Sequence, residues 1–99
     1  MLQLILVAEI YIFADTELSK KTKLLAKLKS APANFTWDEA VKLMGACGFK
    51  VLNRAGSGRM FVHVNGTKVR LHEPHPRNTL LPYMVDCLLE GLKAAGELD

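Results

Sequence analysis

Residues Phe49 to Pro76, FKVLNRAGSGRMFVHVNGTKVRLHEPHP, decide the fold. At their centre Asn65-Gly66 separates two runs rich in β-branched and aromatic residues, the signal of a tight hairpin, since Asn-Gly tolerates positive φ at both central positions of a type I′ turn. A two-residue loop would set Val64 against Thr67, Val62 against Val69 and Met60 against Leu71. These six side chains then share one face, expected to be buried. The other face would carry His63 across from Lys68, Phe61 across from Arg70 and Arg59 across from His72. That cationic, imidazole-bearing surface with an aromatic in the middle is the expected working face.

Working outward, Phe49 to Arg54 reads as a further strand, and Gly56-Ser57-Gly58 turns the chain into the hairpin. Pro74 and Pro76 end the sheet, because neither can donate to a ladder. Upstream, Thr36 followed by Glu39 has the spacing of a capping box, and Trp37, Val41, Met44 and Cys47 form an apolar stripe closed by Gly48. Glu17 to Ser30 is a basic amphipathic helix with Leu18, Leu25 and Leu28 on one side, stopped by Pro32. Downstream, Asn78 is expected to cap a final helix with Pro82 in its first turn and Leu81, Met84, Val85, Leu88 and Leu92 as its buried stripe. The order is a helix pair, three antiparallel strands and a helix. This is an α+β domain over residues 17–99 with its core at 36–98, helices on one face of the sheet and the basic face open.

Met1 to Ala14, MLQLILVAEIYIFA, is an apolar extension (residues 1–16 with its linker) that contains Glu9 and lacks a basic lead-in or a cleavage site. It is too short to span a bilayer, so no membrane association is expected. It either stems from an upstream start codon or packs on a second copy of the chain as a homodimer contact.

Charge narrows the partner. The net charge is +3, but between Lys50 and Arg77 six Lys or Arg face a single acid, Glu73. Such a patch suits phosphate-bearing or acidic partners, although a solvated basic face is the plainer alternative. Cys47 and Cys87 lie in apolar helical patterns without other ligands at metal spacing, and read as free thiols in a reducing cytoplasm. No metal or cofactor is expected.

The catalytic inventory is short. No acid stands where a Ser-His-Asp triad needs one, and the sheet cannot supply the carboxylate pair of a glycoside hydrolase. Gly56-Ser57-Gly58 lacks the Lys of a phosphate loop and reads as a tight turn. RNA cleavage through the ribose 2′-hydroxyl does fit, because it needs only a general base, a general acid and cations. His72 and His75 are the catalytic candidates. Lys50, Arg59, His63, Lys68 and Arg70 are candidate RNA contacts, with Phe61 offered for stacking against a base. Taken singly, each histidine reads more readily as a partly exposed, hydrogen-bonded side chain in a strand or turn.

From Thr36 to Leu98, the helix followed by Gly48-Phe49 and a strand, the Gly-Ser element in AGSGRMFVHVNG, the HEPHP run and the closing helix with its AAG resemble the HicA family of type II toxin–antitoxin systems. The resemblance implies a fold like that of double-stranded RNA-binding domains, α-β-β-β-α, ribosome-independent mRNA cleavage in the cytoplasm, and neutralisation by a HicB antitoxin. In typical members a histidine after the Gly-Ser element is taken as catalytic. Here that place is Gly58, which has no proton to move. The chain is closer to a branch with an H-x-P-H-P motif, matched by His72, Pro74, His75 and Pro76. His72, at the far end of the hairpin, would then put an imidazole near the missing one. Two other readings stay open, a non-catalytic module that binds RNA or an antitoxin, and a double-stranded RNA binder without chemistry.

Overall fold

The computed structural model describes residues 20–98. The apolar extension, its proposed self-association and the start of the first helix lie outside these residues. Residues 20–29 form helix α1, followed by α2 (Trp37–Ala46), strands β1 (Phe49–Asn53), β2 (Gly58–His63) and β3 (Lys68–His72), and α3 (Pro82–Ala94). The three strands form one antiparallel sheet in the order β1-β2-β3. Leu28 of α1, Leu43 of α2 and Leu88 of α3 are fully buried in one core with Phe61, Val69 and Leu71 of the sheet. All three helices thus serve one face, and the α+β architecture expected from the periodicity is the one observed.

Local chemistry explains the element ends. The Thr36 hydroxyl accepts from the Glu39 N–H (3.1 Å) while the Glu39 carboxylate accepts from the Thr36 N–H (3.0 Å), the reciprocal capping box read from the sequence. The same carboxylate takes the Lys27 ammonium on both oxygens, at 2.9 and 2.8 Å, so the cap also ties α1 to α2. Burial pushes the Glu39 pKa up, but the hydrogen bonds from Lys27 and Thr36 outweigh it, and the net shift is below the ordinary value of 4.5. A depressed carboxylate stabilises the fold above its unfolded pKa and loses that contribution as pH falls through the folded one. The thermal midpoint is therefore expected to drop as pH is lowered through and below about 4.5, and Glu39→Gln should show a lower midpoint at neutral pH and a flatter profile.

One sequence-based expectation fails at the final helix. Its N-cap is Leu81, with no side-chain cap and Pro82 in the first turn. Asn78 is used elsewhere: its carbonyl accepts the Trp37 N–H at 2.7 Å, and the Leu80 N–H donates to the Phe35 carbonyl at 2.8 Å. Residues 35–37 and 78–80 pair around a Thr36–Thr79 bridge, and this backbone pairing carries Asn78 away from the helix end. At the other end, Gly91 passes directly over the sheet. A Cβ there would overlap Val69 Cγ2, a β-branched side chain with little rotamer freedom to give way.

The larger difference is in the hairpin. The observed pairs are Phe61 with Val69, Met60 with Arg70, Arg59 with Leu71 and Gly58 with His72. This is one position away from the expected register. Gly66 alone at this turn has positive φ (+95°), the Gly66 N–H donates to the His63 carbonyl at 2.9 Å, and the His63 N–H donates to the Thr67 carbonyl at 2.8 Å. The loop is therefore three residues, Val64-Asn65-Gly66, a tight turn followed by a left-handed glycine, and not the two-residue type I′ turn. Because side chains alternate, this one-residue change inverts β2 and leaves β3 as expected. Phe61 goes fully into the core, tilted at 55° to Trp37 with ring centroids 5.4 Å apart. Val64, expected to be buried, is 86% exposed at the tip.

Candidate nucleic-acid interface

With β2 inverted, the face opposite the helices has three cross-strand rows. Lys50, Val62 and Lys68 form the first, Leu52, Met60 and Arg70 the second, and Gly58 and His72 the third. Lys50, Lys68, Arg70 and His72 are exposed, as expected from the sequence. Between them runs an apolar strip of Leu52, Met60 and Val62 that the sequence reading placed partly in the core. Leu52 is 40% exposed, while Met60 is buried, its sulfur 3.8 Å from the Arg54 guanidinium.

Arg59, Phe61 and His63 are corrected in placement, since all three belong to the helix-facing side of β2. Phe61, with no exposed surface, cannot offer a ring to a base. Arg59 is fully engaged: its guanidinium donates to the Glu73 carboxylate at 3.1 Å and to the carbonyls of Gly56 (3.1 Å) and Gly58 (2.8 Å). It clamps the Gly56-Ser57-Gly58 turn to the end of β3, and the Glu73 N–H donating to the Ser57 carbonyl at 2.8 Å completes the clamp.

His63 is buried edge-on against Phe49, ring centroids 4.8 Å apart. Its Nδ1 accepts the Asn65 N–H at 3.1 Å, so the ring proton sits on Nε2 and donates to Glu97 at 3.0 Å. Glu97 is delivered there by the end of α3, where the Glu97 N–H bonds to the Leu92 carbonyl and the Gly96 N–H to that of Lys93. His63 is thus a fastener between hairpin and C-terminal segment. Cys47 is buried nearby; burial pushes its thiol up, the Lys21 charge opposing and the Glu97 charge adding to the shift.

The two candidate catalytic histidines lie in different places. His72 lies on the open face directly across from Gly58, with Nδ1 3.4 Å from the Ser57 hydroxyl. His75 lies past the strand end and lines a cleft with Ala31, Pro32 and Leu81. The Ser57–His72 neighbourhood and the Arg59 clamp were not foreseen, because both depend on which β3 residue opposes Gly58. The Glu97 contact to His63 spans 34 positions in sequence and has no local signal.

A model of the family described as HicA toxin of bacterial toxin–antitoxin matches residues 37–96. This chain belongs to the HicA toxin family. No curated protein and no solved structure matches it. The HicA span takes in α2, the whole sheet and α3, and with them Gly58, His72 and the basic row, whereas α1 and the Ala31–Ala33 connection precede it. Membership makes the chain the toxin member of a pair whose other member is an antitoxin. Among the described residues no helix is long and apolar enough to cross a membrane, and no group of three or more His, Cys, Asp or Glu side chains is placed to hold a metal ion.

Proposed function

We propose that this HicA-family toxin acts on cytoplasmic mRNA as an endoribonuclease, with Lys50, Lys68 and Arg70 against phosphates and His72 as the proton-transferring group. The observation that carries this reading is the pairing of His72 with Gly58. In the observed register the imidazole stands across the hairpin from the position where the resemblance places the usual histidine, a buried position with little room for a side chain, since a Cβ on Gly58 would lie 3.1 Å from the Ala55 carbonyl oxygen and 3.2 Å from Arg54 Cβ. Cleavage requires removal of the 2′-hydroxyl proton, attack of that oxygen on phosphorus and departure of the 5′-oxygen with a proton. An imidazole next to a hydroxyl, beside a row of cations, supplies the residue types for these steps.

No described aromatic lies on this face, so contacts run to the backbone and not to stacked bases, which favours tolerance of RNA sequence. For single-stranded RNA the logarithm of affinity should fall with the logarithm of salt with a slope of about −0.7 per neutralised phosphate, or roughly −2 for three cations. Fluorescence anisotropy with a labelled RNA measures it. Lys68→Glu and Arg70→Glu should each weaken binding and flatten the slope. Unchanged affinity and slope in both variants would remove the proposal.

The apolar strip Leu52-Met60-Val62 favours a second reading of the same face: an antitoxin resembling HicB, with apolar side chains ringed by acids, covers it. Competition in the same anisotropy experiment, using the product of a neighbouring gene, separates masking of the RNA surface from binding elsewhere.

A further inference from the structure

A cleft of about 520 Å³ opens where the α1–α2 connection meets the segment leading into α3. Ala31, Pro32 and Ala33 form one wall, and residues 75–77, 79, 81 and 82 the other, over Leu80 and Val85. The Ala31–Ala33 wall is built from short or ring-closed side chains, which leaves the space in front of it unfilled. The spacing of the two walls is fixed by the hydrogen bonds from Trp37 N–H to the Asn78 carbonyl and from Leu80 N–H to the Phe35 carbonyl, so the cleft is preformed, as binding sites for small chemical groups usually are.

Its surface is mainly apolar, yet Arg77 lines it as its charged residue, with the His75 imidazole nearby and no carboxylate. Beside it Leu81 and Tyr83 are each 53% exposed, two of the four large hydrophobic side chains so exposed among the described residues. One wall, Ala31–Ala33, precedes the span matched by the family, so this cleft depends on what the chain adds to the family's domain. The floor offers nothing to a phosphate backbone, while an apolar side chain would fit it and a carboxylate would meet Arg77.

We infer that this cleft docks an extended peptide segment of a partner protein in which an apolar side chain lies beside a carboxylate. The site is separate from the sheet face and stands whether or not RNA is cleaved there.

The test is a titration of the full-length ¹⁵N-labelled chain with two blocked tetrapeptides, Asp-Leu-Leu-Glu and Lys-Leu-Leu-Lys, and with a short RNA oligonucleotide, followed by amide chemical shifts. The acidic peptide is expected to move resonances of residues 31–33 and 75–85. Arg77→Glu should weaken it on the order of tenfold, the value of one charge-assisted hydrogen bond. Ala33→Trp, which fills the mouth from an exposed position, should abolish the response. The inference is overturned by equal binding of the basic peptide, by shifts confined to the sheet face, or by the oligonucleotide occupying the cleft. It is equally overturned by the same shifts arising with protein concentration alone, which marks a second copy as occupant, or by silence at millimolar peptide.

Discussion

Replacing Phe61 by alanine is expected to cost about 3–5 kcal/mol, the usual loss for truncating a buried aromatic, out of the roughly 5–15 kcal/mol that holds a small domain together. Phe61 has no exposed surface, stacks obliquely on Trp37 and pairs with Val69 beneath α3. Its removal takes away the ring that joins α2 to the middle strand and leaves a cavity beneath the helices. The companion variant Val64→Ala should change stability by less than about 0.5 kcal/mol, as surface substitutions do. Urea denaturation of the two variants tests the register itself. With a two-residue turn the outcomes would be reversed, because Val64 would be in the core and Phe61 in water. A small loss in Phe61→Ala beside the larger loss in Val64→Ala would show that β2 faces the helices with the other parity.

His72→Ala is the second large effect. If His72 moves a proton in RNA cleavage, its loss should slow single-turnover cleavage by about 10²–10⁴-fold and relieve growth arrest on induced expression. Binding should weaken little, since Lys50, Lys68 and Arg70 are untouched. His72 is exposed and makes one long contact, 3.4 Å to the Ser57 hydroxyl, so folding is expected to be unaffected, and a melting curve checks it. Wild-type cleavage rate and toxicity in a folded His72→Ala protein would end the catalytic assignment while leaving the RNA surface standing. Ser57→Ala serves as the graded companion, with a smaller fall in rate expected from the loss of a neighbour that steadies the imidazole.

The two effects rest on one geometric fact, the length of the turn at Gly66. Moving from a two-residue to a three-residue loop took Arg59, Phe61 and His63 off the open face and brought Met60 and Val62 onto it, beside Leu52. It also moved His72 from a position opposite Arg59 to one opposite Gly58. The surface lost its aromatic and gained an apolar strip, which shifts its chemistry from reading bases towards gripping a backbone or a protein partner. Meanwhile Lys50, Lys68 and Arg70 kept their places, because β1 and β3 have the parity expected from their own alternation.

The sequence by itself determined whatever is decided within a few residues. The Thr36–Glu39 box, the glycine closing α2, the prolines after β3 and the apolar periodicity of α3 each carry their own physical cause locally, and together they dictate the order of elements and the sidedness of β3. Tertiary structure alone decided the sidedness of β2, where Met60, Phe61, Val62 and Val64 leave both faces apolar enough to be buried and the alternation has no contrast to read. It also decided the fate of polar groups whose partners are far along the chain: Asn78 to Trp37, Arg59 to Glu73, His63 to Glu97. The reason is the same in each case. A hydrogen bond between distant residues, or a choice between two apolar faces, is settled by which arrangement lets the whole core close, and no short stretch of chain contains that information.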